Sequence, residues 1–241
     1  MKNVLLLWLT VLLLSAVASA HEPCSAELKL LLVPGELHTA LVSLHARAPR
    51  LGQVYLYDTD LLSLLSHGIL VRLRQGSSSD LTVKLRSPDD STAAIQPPDE
   101  TAKCEFDVVG GQAFRSLSIT SKFSGPVPQT GKGLLPLLSP GQKRLTELKS
   151  IDWALVKKIG AIKSTTWRVA APPNFPRLSL ELWEWPGGSI LELSARVPPA
   201  DISGGYERLR RLATASKLTA SPHQRTKTGL ALESIAHTAP H

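Results

Sequence analysis

Residues 54–86, VYLYDTDLLSLLSHGILVRLRQGSSSDLTVKLR, decide the fold. The segment reads as an aromatic strand, a short Leu-rich helix over Leu61–Ser66 and two strands carrying alternating cations. A strand places residues i and i+2 on one face. Arg72 and Arg74 therefore point together, and so do Lys84 and Arg86. Gly76-Ser77-Ser78-Ser79 reads as the hairpin loop between their strands. When the strands pair, the cations share a face, and their mutual repulsion calls for a polyanion or nearby carboxylates. Alternation alone is also met by an ordinary edge hairpin that turns its cations to solvent. Asp58-Thr59 is a helix-start signal, which accounts for both residues without a catalytic role.

The order of these parts resembles the CYTH family, the triphosphate tunnel metalloenzymes. Tyr57-Asp58-Thr59 ends a strand, a Leu-rich helix follows, and then come Gly68, Arg72-x-Arg74 and Thr82-x-Lys84. The resemblance implies an α+β fold: an antiparallel, closed or nearly closed β-barrel, a tunnel, with peripheral helices. It extends over most of residues 25–232.

Before it, Met1-Lys2-Asn3, an apolar run over Val4–Leu14 and Ala18-Ser19-Ala20 read as a cleaved secretory signal. That run is short for a membrane span, and no later segment is apolar enough for one. Removing residues 1–20 from the 241 leaves 221, enough for a single domain, here 21–235 with a tail at 236–241. The expected location is exported, periplasmic or secreted. The formal net charge is +7, which suits an anionic ligand or mere solubility. Cys24 and Cys104 are the two cysteines. In an oxidising compartment they form one disulfide, and two free thiols are the alternative.

Ser25–Val33 reads as the first strand, with Glu27 and Lys29 alternating against leucines. The family pattern Glu-x-Glu-x-Lys falls on Ser25, Glu27 and Lys29, so its first carboxylate is missing. Leu37–Ala48 has a helical period, and His38 and His45 lack acidic or Cys partners for a metal. Ser87–Thr101 reads as a loop. On the next strand Lys103 and Glu105 are candidates, with Asp107 on the same face. Gly110–Gly141 reads as an extended loop region, Leu145–Ile159 as a helix ended by Gly160, and Ala161–Ala170 as a strand. From that strand the resemblance implies one cation, Lys163 or Arg168, on opposite faces by strict alternation.

Two strands flank Pro186-Gly187-Gly188, a hairpin signal. Glu181 and Glu192 stand where the resemblance implies carboxylates, and Ser194 replaces the second acid of a Glu-x-Glu. Trp183 and Trp185 read as packing residues. Tyr206–Leu218 reads as a helix. Gln224–Leu232 resembles a closing Thr-Lys-Thr strand that contains Lys227.

The resemblance thus implies a lumen in which Lys29, Arg72, Arg74, Lys84, Arg86, Lys103, Lys227 and one of Lys163 and Arg168 bind a triphosphate or polyphosphate. Glu27, Glu105, Glu181 and Glu192 would hold Mg²⁺ or Mn²⁺ through oxygen. Catalytic work falls to Lys29, Arg74 and Glu192, in a metal-dependent triphosphatase or phosphohydrolase. The alternative is a non-catalytic polyphosphate or organophosphate binder with a degraded metal site, which Ser25 and Ser194 favour. No array of aromatics and cations points to nucleic acid.

Overall fold

The computed structural model describes residues 24–87, 102–170, 172–173, 175 and 177–238. The signal segment and most of the Ser87–Thr101 loop lie outside them. Nine strands run in chain order: β1 (Ser25–Leu32), β2 (Arg47–Asp58), β3 (Ile69–Gly76), β4 (Asp80–Ser87), β5 (Lys103–Val109), β6 (Gln112–Lys122), β7 (Lys157–Arg168), β8 (Leu178–Trp185) and β9 (Gly188–Val197). The helices are α1 (Leu37–Ser43), α2 (Ser63–Ser66), α3 (Gly131–Leu134), α4 (Pro140–Glu147), α5 (Ile202–Ala215) and α6 (Lys227–Thr238). The sheet closes on itself in the order β1-β5-β6-β4-β3-β2-β7-β8-β9. Its pairs are antiparallel except β1 with β5, which run parallel. The expected barrel is therefore present, closed and mixed rather than purely antiparallel. No described helix is long and apolar enough to cross a membrane.

Alternation sorts each strand between core and lumen. On β1, Ala26, Leu28, Leu30 and Leu32 pack outward with Tyr206, Leu209 and Ala213 of α5. On β3, β4 and β6, Val71, Leu73, Val83, Leu117 and Ile119 pack outward with Leu134 and Leu145. A third cluster closes one end of the barrel. There Leu31, Val54, Leu56, Ile159, Ile162 and Trp183 meet Ala231 and Leu232 of α6.

The 69–87 hairpin forms as expected, with Arg72 opposite Thr82 and Arg74 opposite Asp80. The 178–197 hairpin turns at Gly187, in the left-handed region at φ 89°. Asp58 and Thr59 do cap α2. The Asp58 carboxylate accepts hydrogen bonds from the amides of Thr59, Leu64 and Leu65, and the Thr59 hydroxyl accepts one from Ser63. Cys24 and Cys104 form the disulfide, which ties the residues flanking the parallel seam. Trp183 and Trp185 are buried.

Five expectations are corrected. Gly110–Gly141 is not simply loop: Gly110 and Gly111 turn the chain into β6, which buries Ser116 and Ser118 beside Leu117 and Ile119. A strand with hydroxyls facing a lumen has little hydrophobic contrast, so its period is weak. The helix at Leu145–Ile159 lies earlier, at α4, started by a Ser139–Gln142 capping box with Pro140 at its first turn. Gly160 is no helix stop but a left-handed residue at φ 63° in an irregular stretch of β7, where a Cβ would meet Ile235 of α6 at 2.9 Å. Helix α1 ends at Ser43, and His45 and Ala48 turn left-handed as the chain enters β2. Finally, Gln224–Leu232 adds no strand. β9 already pairs with β1, so the segment folds into α6 and plugs the barrel. Gln224 anchors it, with its side chain bonded to the Leu31 amide and carbonyl.

Replacing Asp58 with Ala leaves three amides without an acceptor, and unfolding titrations are expected to find a loss of at least about 2 kcal/mol. The 24–104 bridge has a sequence separation of 80. Cys104→Ser is expected to cost about 4 kcal/mol in the same measurement, because the unfolded chain regains its loop entropy.

Candidate functional site

Two ion-pair clusters and one lightly paired arginine line the lumen. The first centres on Asp107 of β5, a fully buried carboxylate. It pairs with Lys29 of β1, with Lys84 at 2.9 Å and with Arg86 at 3.0 Å from β4, and accepts from Ser116 of β6 at 3.2 Å. Lys29 also lies 3.1 Å from Glu27, and Lys84 lies 3.3 Å from Glu105, which Arg196 of β9 approaches at 3.4 Å.

The second centres on Glu181 of β8. Arg74 donates to it at 2.8 Å, and Ser164 and the Trp183 indole each at 2.9 Å. Lys227 joins it from the start of α6 and lies 2.6 Å from Glu192, the residue opposite Glu181 in the β8–β9 register. The Lys227 ammonium also stands 4.8 Å from the centroid of the Trp183 ring.

Arg72 is different. Its guanidinium reaches Thr82 at 3.5 Å and Asp80 at 3.9 Å, both at the outer limit of useful contact. The Nε atoms of Arg72, Arg74 and Arg86 are buried and have no hydrogen-bond partner among the described residues.

The charges tune one another. Burial opposes ionisation of Asp107, yet Lys29, Lys84 and Arg86 hold its pKa well below the usual carboxylate value. Burial likewise opposes the Glu181 charge, and Lys227 and Arg74 overcome it, so its pKa is also lowered. Burial would depress the Lys29 ammonium, but Glu27 and Asp107 raise its pKa. For Arg72 the balance goes the other way: burial, with Arg74 adding repulsion, pushes its pKa down to about 10.

Of the residues expected in the site, Glu27, Lys29, Arg72, Arg74, Lys84, Arg86, Glu105, Glu181, Glu192 and Lys227 come together in these contacts. Lys103 is exposed at the start of β5. Lys163 points outward and lies 3.7 Å from Glu184. Arg168 shares the alternation of Ser164 but is exposed at the end of β7. Sequence reasoning missed Asp80, Arg196, Ser116 and Ser164, and ranked Asp107 behind Glu105. Position alone could have found Arg196, two residues beyond Ser194 on the same face. The serines carry no signal until the lumen is known.

The acids do not fit a divalent metal in this arrangement. Among the described residues no three Asp, Glu, His or Cys side chains converge as a ligand set. Glu27, Glu105, Glu181 and Glu192 each face an ammonium instead. The serine at the position of the second Glu-x-Glu acid, Ser194, bonds to Ser179 at 2.9 Å.

No protein-family model matches the sequence, and no curated protein does. Solved structures do. A Hippeastrum protein, described as an adenylyl cyclase candidate with a dominant triphosphatase activity, aligns at TM-score 0.59 and 15% identity, covering 85% of this chain and 93% of that one. An adenylate cyclase candidate from Bacillus halodurans aligns at TM-score 0.55 and 15% identity, covering 86% and 96%. The shared feature is the fold, the tunnel barrel that the CYTH resemblance implied.

The lumen makes stability depend on acid. Asp107 and Glu181 have lower pKa values folded than unfolded. The stability they contribute is complete above their unfolded values, near pH 4, and is lost as pH falls toward the folded ones. Denaturant unfolding is expected to give a plateau above about pH 5 and a decline below it. Glu181→Gln is expected to lose about 3 kcal/mol at neutral pH, because Lys227 and Arg74 lose their shared anion, and to have a shallower acid limb.

Proposed function

We propose that the lumen binds a triphosphate-type polyanion, inorganic or organic, and that the chain acts as a binding protein on a CYTH-type barrel. The observation that carries this is Arg72. A half-buried guanidinium with a buried, unpartnered Nε, a neighbouring Arg74 and two contacts at the limit of reach favours an anion. Phosphate oxygens supply it. Arg74 and Lys84 lie on the same lumen wall, so an anion with several phosphoryl groups can engage more than one cation. The triphosphatase activity described for the Hippeastrum neighbour supports the same ligand class.

Hydrolysis assisted by Mg²⁺ or Mn²⁺ is the second reading. Its support is the cross-strand Glu181–Glu192 pair, two carboxylates gathered on one cation. Binding is preferred because Lys29, Arg74 and Glu192, the groups to which the resemblance gives catalytic work, are already held by partners of opposite charge. Export is part of the proposal. The N-terminal signal pattern supports it, and so does the Cys24–Cys104 bridge, since disulfides persist in oxidising compartments.

Calorimetry with tripolyphosphate is expected to give saturable binding that weakens as salt rises. Arg72→Ala is expected to weaken it about 10- to 100-fold with little change in melting temperature, since that side chain is weakly paired in the free protein. Phosphate release with and without Mn²⁺ is expected to stay at background. Absence of binding in wild type rejects the proposal, and metal-stimulated turnover selects the second reading.

A further inference from the structure

We infer that the Lys227 ammonium stands where a divalent cation would in this lumen, so that the barrel engages its anion without metal. The anion part rests on the proposed function; the cation part does not.

Glu181 and Glu192 face each other across the β8–β9 pair, and both side chains are largely buried. Two carboxylates so placed repel each other and require a cation between them. In this chain the cation is covalently attached. Lys227 reaches both acids, and its own side chain is only 11% exposed. The Trp183 ring lies beneath the ammonium and donates its indole N–H to Glu181. Ammonium donors, an aromatic face and two carboxylates make a closed site for a monovalent charge. Ser164 and Arg74 take up the remaining reach of Glu181.

Helix stability does not explain this lysine. Lys227 is the first residue of α6, and the N-terminal end of a helix dipole disfavours positive charge. The first turn of α6 carries no acid to offset it. Packing does not require the charge either, because Ala231 and Leu232 make the apolar contact with the barrel floor. What the ammonium satisfies is the carboxylate pair. A divalent ion bound to the same acids would be repelled by Lys227 and Arg74.

The test uses Mn²⁺ as the probe on the whole mature chain, read by the electron paramagnetic resonance signal of free Mn²⁺ and by melting temperature. Wild type and Lys227→Arg are expected to bind no Mn²⁺ and to show no thermal shift. Lys227→Met keeps an aliphatic side chain but removes the ammonium shared by both acids, leaving Glu181 with Arg74, Ser164 and the Trp183 indole. It is expected to bind one Mn²⁺ at submillimolar concentration, and Glu192→Gln added to it is expected to abolish that binding. Should Lys227→Met be destabilised, Mn²⁺ is expected to raise its melting temperature and leave that of wild type unchanged. Tripolyphosphate binding by wild type is expected to be equal in EDTA and in Mg²⁺. Stoichiometric Mn²⁺ binding by wild type overturns the inference. So does a Lys227→Met protein that neither binds nor is stabilised by Mn²⁺, or tripolyphosphate binding that disappears in EDTA. If wild type binds no tripolyphosphate in any condition, the proposed function fails while the Mn²⁺ results still decide the place of Lys227.

Discussion

Ionised side chains inside a closed sheet must be compensated on the spot. Removing a charge from water costs several kcal/mol even after the protein relaxes, and only a close, well-oriented partner recovers that cost. Asp107 meets this condition by drawing on three cations from two strands, and Glu181 by drawing on Arg74 and Lys227. These pairs do not sit within one hairpin. They link β1, β4 and β5 in one cluster and β3, β8 and α6 in the other. The same contacts that make a polar interior tolerable therefore lock distant segments of the chain into one register.

The lumen differs from place to place in how its interior is satisfied. At the floor, α6 brings Ala231 and Leu232 against Leu31, Leu56 and Ile162, and water is excluded by ordinary apolar packing. Above the floor lie the two ion-pair clusters. On β3, Arg72 has only distant partners, and nearer the hairpin turn Gly52, Gly76, Ser164 and Thr166 line an open cavity with Asp80 and the Glu181-paired Arg74. The disulfide lies across the barrel from this wall, where β1 and β5 run parallel. That seam joins strands far apart in sequence, and the covalent tie supports it.

Much of this was legible in the residues. Arg72, Arg74, Lys84 and Arg86 share a face because the strand period is two, and the Gly76–Ser79 loop fixes how their strands pair. The Pro186-Gly187-Gly188 turn similarly places Glu181 opposite Glu192. What failed did so for identifiable reasons. β6 alternates serine with leucine rather than charge with leucine, so glycines and prolines around it dominated. The resemblance of Thr226-Lys227-Thr228 to a closing strand pointed away from a helix that only the filled sheet favours. Lys163 and Arg168 were left on opposite faces with no way to choose. The irregularity at Gly160 sets which parity enters the lumen, and it admits Ser164 instead of Lys163.

Counting cations overstates the attraction of this lumen for phosphate. Asp107 and Glu181 already engage Lys29, Lys84, Arg86, Arg74 and Lys227, and an incoming anion has to compete with them in the same low-dielectric space. A single phosphate group can satisfy Arg72 but offers too little charge to displace a carboxylate from Lys84 or Arg74. A chain of phosphoryl groups can anchor on Arg72 and then exchange partners with the neighbouring cations one after another. Each exchange leaves the freed carboxylate near at least one remaining cation. If the lumen binds as proposed, selection by length of the anion follows from the pairing pattern, without any contact to the ends of the ligand. In the proposed binding mode Arg72 is the least contested cation, because there the protein itself offers the least competition.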